Sequence, residues 1–192
     1  MKELIVVGGA NGTGKTTFAL EYARLNDCLY LGADAIASEL SPMSPGSAAV
    51  RAGEELMRRL SAALEASESL VVESTLAGRT LRHTIRKARS AGFMITIVYL
   101  YLANEGMCVE RVRERVQKGG HSVPEVDIRR RFWRSLQNFW TLYRPLADHW
   151  LLVYNSDRQP SDVAVGTGGD ISVRDAELFT SFQQLISDGT NG

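Results

Sequence analysis

An α/β fold, with a five-stranded parallel sheet and helices on both faces, is predicted for this 192-residue chain by three observations. Apolar runs of strand length alternate with amphipathic helical stretches, the pattern of βαβ units whose crossovers cover both sides of a parallel sheet. The first run, Leu4-Ile5-Val6-Val7, leads into Gly9-Ala10-Asn11-Gly12-Thr13-Gly14-Lys15-Thr16, which fits G-x-x-x-x-G-K-[ST]. A hydrophobic fraction of 44% and a charged fraction of 23% are those of a globular protein able to bury a core at this length.

The glycine-rich loop between strand and helix turns backbone N–H groups onto a phosphate, and the helix start adds its positive end. Gly9, Asn11, Gly12, Thr13, Gly14, Lys15, Thr16 and Thr17 are therefore the nucleotide-binding set, with Lys15 reaching the β- and γ-phosphates and the Thr16 hydroxyl directed at Mg²⁺. The helix runs through Phe18-Ala19-Leu20-Glu21-Tyr22-Ala23 to about Asn26. A second strand, Cys28-Leu29-Tyr30-Leu31, ends at Gly32-Ala33-Asp34, placing Asp34 on the carboxyl rim where open α/β sheets bind ligands. The N-cap of a short helix is the alternative reading of Asp34, and the two roles are compatible.

Ser41 to Ser47 is a proline-bearing loop, read as a wall of an acceptor pocket, and the helix after it aligns Ala52, Leu56, Leu60, Ala63 and Leu64. Leu70-Val71-Val72 is a third strand ending at Glu73-Ser74-Thr75, where an acid suits a Mg²⁺-bound water or an acceptor hydroxyl. Residues 78–91 are helical with Arg82, Arg86 and Arg89 along one side, read as a solvated basic face with a partner surface as the alternative. Phe93 to Leu102, apolar almost throughout, is the central strand.

Two helices flank the break Gly119-Gly120-His121-Ser122-Val123-Pro124. The first carries Arg111 and Arg115 four residues apart; the second carries Arg129, Arg130, Arg131 and Arg134. Arginines on both sides of a glycine pair suit a lid, at about 105–134, that closes over a triphosphate. His121 has no companion ligand and is read as a loop hydrogen-bonding residue. Phe132, Leu136, Phe139, Trp140 and Tyr143 form a core stripe, ended or kinked at Pro145. Trp150 to Tyr154 is the fifth strand, with Asn155-Ser156-Asp157 placed near an adenine. Val163-Ala164-Val165 is a small edge strand, Gly166 to Gly169 a turn, and residues 175–187 a terminal helix. No linker divides the chain, so residues 1–192 are expected to form one domain.

Charge is zero overall but uneven: 6 basic against 10 acidic residues over 1–78, 13 against 5 over 79–134, and 3 against 7 over 135–192. The basic middle calls for an anionic ligand, while the neutral total argues against a dedicated nucleic-acid binder. Cys28 and Cys108, far apart and without C-x-x-C pairing, indicate neither a disulfide framework nor a metal site. With no long apolar run and the first strand at the N-terminus, a cytoplasmic protein without membrane contact is expected.

No strand ends in the acidic pair of an ABC-type ATPase, no LSGGQ-like signature occurs, and Asn155-Ser156-Asp157 does not supply N-K-x-D, which leaves a small kinase. Gly8 to Thr17, Gly32 to Ala37, Val72 to Gly78, and above all Gly119-Gly120-His121-Ser122-Val123-Pro124-Glu125 running into Ile128-Arg129-Arg130-Arg131-Phe132, resemble the zeta toxin family over about residues 4–160. The resemblance implies a P-loop nucleotide-kinase-like three-layer fold with a helical lid. It also implies ATP-dependent phosphorylation of the 3′-hydroxyl of UDP-N-acetylglucosamine or a similar nucleotide sugar, with ATP and Mg²⁺ as cofactors and an antitoxin as protein partner. Carried onto this chain, it makes Asp34 the residue that orients and deprotonates the acceptor, Glu73 and Thr75 acceptor-site residues, and Arg115 with Arg129 or Arg130 the phosphate clamps. A nucleoside monophosphate kinase, and an ATP-binding switch that docks a partner on the basic helix, remain as alternatives.

Overall fold

Alternate residues of the strands point to opposite faces of the sheet, and in this chain both faces are apolar. Leu4 and Val6 face one core while Ile5 and Val7 face another, and Ile97, Tyr99 and Tyr101 alternate in the same way with Val98 and Leu100. The computed structural model describes residues 2–43, 45–155, 159–167 and 169–189. In chain order its elements are β1 (Glu3–Gly8), α1 (Lys15–Leu25), β2 (Leu29–Gly32), α2 (Ala33–Leu40), α3 (Ala49–Glu65), β3 (Leu70–Ser74) and α4 (Leu81–Ser90). There follow β4 (Met94–Tyr101), α5 (Glu105–Gln117), α6 (Glu125–Asn138), β5 (His149–Asn155), β6 (Pro160–Thr167), β7 (Asp170–Val173) and α7 (Ala176–Asp188).

The five expected strands pair in parallel in the order β2-β3-β1-β4-β5. The sheet then continues with two antiparallel strands, β6 and β7, so it is a mixed sheet of seven. Two expectations are corrected there. The small edge strand is a full strand of eight residues, and Gly166, read as a turn, lies inside it. A Cβ at Gly166 would collide with the Trp150 indole, so glycine is selected by packing and not by a turn.

The smaller core lies beneath α1, around Ala19, Ala23, Val71 and Val153. The larger lies beneath the other helices, where Leu60, Ile85, Val109, Phe132, Leu136 and Phe182 meet the sheet. The expected aromatic stripe, which begins in α6 and runs past its end, is buried as core at Phe132, Phe139 and Tyr143, with Phe139 stacked on Tyr99 at 4.1 Å between centroids. After Asn138 the helix widens into a π turn (Phe139–Tyr143) and then a 3-10 turn (Arg144–Leu146) holding Pro145. A proline cannot donate to the helical ladder, and the wider turn brings Tyr143 inward before the chain enters β5.

All five parallel strands end on the same rim. The loops after β1, β2 and β3 meet there, beside the break in strand order where β1 is flanked by β3 and β4, the position at which open sheets of this type hold ligands. Among the described residues no helix is long and apolar enough to cross a membrane.

Candidate active site

The loop after β1 is shaped by glycines at positive φ, 85° at Gly12 and 88° at Gly14. Side chains are excluded there for a second reason, because a Cβ at Gly12 would lie 2.7 Å from the Cys108 carbonyl and one at Gly14 would collide with the Asn155 amide. Gly14 is also the N-cap of α1, with no side-chain cap and no acid in the first turn, which leaves the N–H groups of that turn for an anion. Thr13 is buried and its hydroxyl donates to the Ala10 carbonyl (2.9 Å). Lys15, only 6% exposed, donates to the same carbonyl at 2.8 Å, with Glu73 Oε1 3.9 Å away. Burial lowers the lysine's pKa, and the Glu73 carboxylate opposes that shift.

Glu73, at the end of β3, joins the loop to β2. Its Oε1 accepts from the Thr16 hydroxyl (3.0 Å) and its Oε2 from the Tyr30 phenol (2.7 Å). A hydroxyl and a carboxylate side by side are hard oxygen donors of the kind Mg²⁺ takes when phosphates and waters complete its octahedron, so these residues fit the expected ion. Asp34 lies in the first turn of α2; the N-cap is Gly32, and the expectation of Asp34 as cap is corrected. Its carboxylate is exposed, makes no hydrogen bond or ion pair among the described residues, and acts on Lys15 and Tyr30 through its field. Thr75 follows β3; its hydroxyl accepts from Ala77 N and its carbonyl from Ser135 Oγ.

These groups line one cleft of about 640 Å³. Its first wall is Asn11, Lys15, Thr16, Thr17, Asp34, Glu73 and Thr75; its second is Arg111, Arg115, Arg130, Arg131 and Arg134. Among the second set, Arg115 donates to the His121 carbonyl (2.8 Å), Arg130 pairs with Asp127 (2.7 Å), and Arg131 reaches Asn11 Oδ1 (3.3 Å). Of the expected residues, Gly9, Thr13 and Arg129 do not line this face: the Thr13 hydroxyl is buried against the Ala10 carbonyl, and Arg129 lies outside the cleft lining, paired with Glu125 and Glu105. Helical spacing explains this, since Arg130, Arg131 and Arg134 lie on the cleft side and Arg129 one step around on the outer side. The 41–47 loop contributes less than expected. Ala49 at the start of α3 lines the cleft, and Gly46 approaches His121 at its rim.

Sequence reasoning missed three connections. Tyr30 was read only as part of a strand, although a tyrosine two residues before a rim glycine was the available signal. Asn155 was placed near an adenine, but its side-chain amide donates to the Thr13 carbonyl (2.8 Å) and its own carbonyl accepts from Arg111 (2.9 Å), which ties β5 to both walls. Ser156 and Asp157 lie outside the described residues. Third, the buried end of α6 and the π turn after it are bonded to the loop after β3: Ser135 Oγ donates to Thr75 O (2.5 Å), Asn138 to Leu76 O (2.8 Å) and Tyr143 to Gly78 O (2.7 Å). The signal there was polar residues, Ser135 and Asn138, inside an aromatic stripe.

An uncharacterized protein of Haemophilus influenzae is 26% identical over 124 residues, 65% of this chain and 88% of that one. Among solved structures, a chain of the AvrRxo1-ORF1:-ORF2 complex with ATP superposes with a TM-score of 0.72 at 19% identity. That match covers 97% of this chain and 64% of the other, so the present chain spans about two thirds of its length. The PezAT chromosomal toxin-antitoxin system of Streptococcus pneumoniae gives 0.62 at 15% identity, covering 100% and 88%. A sugar kinase from Janibacter sp. HTCC2649 gives 0.55 at 19%, covering 100% and 94%. At these identities the likeness is one of fold, the α/β P-loop kinase-like fold. A protein-family model described as an AAA domain matches residues 4–132, from the first strand through Arg129, Arg130 and Arg131 of α6, and the chain belongs to that family.

Proposed function

We propose that this protein is an ATP-dependent kinase that transfers the γ-phosphoryl of ATP to a hydroxyl of a small molecule, most simply a nucleotide sugar such as UDP-N-acetylglucosamine. The observation that carries this reading is the free carboxylate of Asp34 facing the same cleft as Lys15 and the arginine wall. Phosphoryl transfer asks a protein mainly to position two oxygens in line and to stabilise charge spread over the moving group. Asp34 orients the acceptor hydroxyl and takes its proton as the oxygen bonds to phosphorus; the bond from phosphorus to the β-phosphate oxygen breaks and ADP leaves. Lys15 and the N–H groups of α1 hold the β- and γ-phosphates, and Arg115, Arg130 and Arg131 balance the charge that develops. Mg²⁺, bound beside Thr16 and Glu73, would supply Lewis-acid neutralisation of the phosphate oxygens. Thr75 borders the acceptor.

In this reading residues 1–192 work as one kinase unit and 105–134 act as the lid, with Arg129 kept for the lid's outer ion pairs. The zeta-type resemblance of Gly119 to Glu125 and the fold shared with the PezAT toxin-antitoxin system support a nucleotide-sugar acceptor and an antitoxin-like protein partner. The test is a phosphoryl-transfer assay with Mg-ATP against UDP-N-acetylglucosamine, other nucleotide sugars and nucleoside monophosphates, read by product mass, with Lys15→Ala and Asp34→Ala as controls. A phosphorylated nucleotide sugar lost in both variants supports the proposal; phosphorylation of AMP, CMP or UMP alone replaces it with a monophosphate kinase. ATP binding with no product from any acceptor favours the switch reading. Against that last reading, the basic side of α4 is partly engaged internally, with Arg89 paired to Asp148 at 2.9 Å.

A further inference from the structure

Among the described residues, Glu73 is the carboxylate that touches both the phosphate loop and β2, and its two oxygens face different partners. Oε1 lies against the Thr16 hydroxyl at 3.0 Å and 3.9 Å from Lys15 Nζ, on the side of the phosphates; Oε2 is held from behind by the Tyr30 phenol at 2.7 Å. A glutamate has three side-chain torsions, and a single donor on the rear oxygen fixes which oxygen looks forward.

The register explains how Tyr30 arrives there. β2 and β3 are parallel, with Tyr30 beside Val71 and Gly32 beside Glu73. Tyr30 and Gly32 lie on the same face of β2, two residues apart, so the phenol reaches Glu73 only by running along the strand over position 32. A Cβ at Gly32 would collide with the Tyr30 hydroxyl. The backbone at Gly32 is extended (φ −138°, ψ 135°), a conformation open to any residue. What this position requires is therefore the absence of a side chain. A carboxylate oxygen can only accept, so the phenol is the donor in the 2.7 Å bond to Glu73 Oε2.

We infer that Tyr30, over the gap left by Gly32, is a positioning residue that aims Glu73 Oε1 at the metal ion accompanying the nucleotide. The inference rests on the metal-nucleotide reading given above. It predicts that metal affinity, and not nucleotide affinity as such, depends on a tyrosine that touches neither.

The experiment measures Mn²⁺ affinity by electron paramagnetic resonance in the presence of ADP or a non-hydrolysable ATP analogue, beside metal-free nucleotide affinity and the metal-free unfolding midpoint. Tyr30→Phe is expected to weaken Mn²⁺ by about tenfold, the usual effect of removing a partner behind a metal-site group. Gly32→Ala, which displaces the phenol and leaves it present, should weaken Mn²⁺ in the same direction. Glu73→Gln sets the limit of the metal effect, and metal-free nucleotide affinity should stay within about twofold in Tyr30→Phe and Gly32→Ala. Raised Mg²⁺ should restore the turnover of Tyr30→Phe. Mn²⁺ affinity unchanged in Tyr30→Phe but weakened in Glu73→Gln would overturn the role of Tyr30 alone. Affinity unchanged in both would remove Glu73 from the metal site and the inference with it.

Discussion

Lys15 and Arg130 face each other across the same cleft in opposite circumstances. Lys15 is 6% exposed, held by a backbone carbonyl inside a loop whose glycines admit no side chain. The Arg130 side chain is 53% exposed and is held by one ion pair to Asp127, three residues back on its own helix. Exposed pairs of that kind contribute about 0–1 kcal/mol, so little energy holds Arg130 in this position while Lys15 is set by the fold. A rigid wall suits the part of the substrate that is always the same, and an adaptable one suits the part that must enter, react and leave.

The sharpest division between the walls comes from Lys15→Met. Turnover should fall by about 10³-fold in the phosphoryl-transfer assay, the loss of a preorganised charge at the reacting phosphate. Asp34→Asn should lower kcat by about 10²-fold with nucleotide affinity unchanged in a binding titration, since it removes the proton acceptor and leaves the loop intact. On the adaptable wall, Arg131→Ala should cost about tenfold in kcat, and Arg129→Ala, outside the cleft, less than about twofold; equal losses in both would erase the distinction between inner and outer arginines. Asn155→Ala removes the amide bonded to Thr13 and should weaken nucleotide binding by about fivefold, the worth of about 1 kcal/mol for one hydrogen bond.

The smallest effect is a pH dependence. Burial holds the folded pKa of Lys15 below 10.5, so above the folded value the unfolded chain binds more protons than the folded one. Its contribution to stability therefore rises with pH between that lowered value and the ordinary lysine value. Urea midpoints at pH 8 and pH 10 should show this gain in the wild type relative to Lys15→Met. Subtracting the two proteins removes the opposite trend from the buried Tyr99 and Cys108, whose raised values make them lose stability as pH rises.

The phosphate-loop wall was legible in the sequence because its chemistry is local: strand, glycines, lysine and helix follow one another within fourteen residues or so, and each enforces the next. The five parallel strands were legible for the same reason, each being announced by a continuous apolar run, whereas their order in the sheet was not. What escaped was fixed by partners distant in sequence. Trp150 decides that Gly166 is a strand residue. The meeting of Tyr30 with Glu73 depends on the β2–β3 register, and that of Asn155 with Thr13 reaches past β4 from the end of β5 to the loop after β1. Arg129 and Arg130 are adjacent in sequence and alike in chemistry, so only the orientation of α6 separates them.

The bonds that fasten Ser135, Asn138 and Tyr143 to the chain after β3 give α6 the mechanics of a lever with its fulcrum inside the protein. From Asn138 to Arg130 is about 12 Å of helix, so a tilt of about 10° sweeps the arginine through about 2 Å, the difference between solvent and a phosphate oxygen. The fulcrum is the segment that begins at Thr75, two residues beyond Glu73. Torque on the helix is thus delivered to the strand end that carries Glu73, and the two walls of the cleft share one mechanical joint.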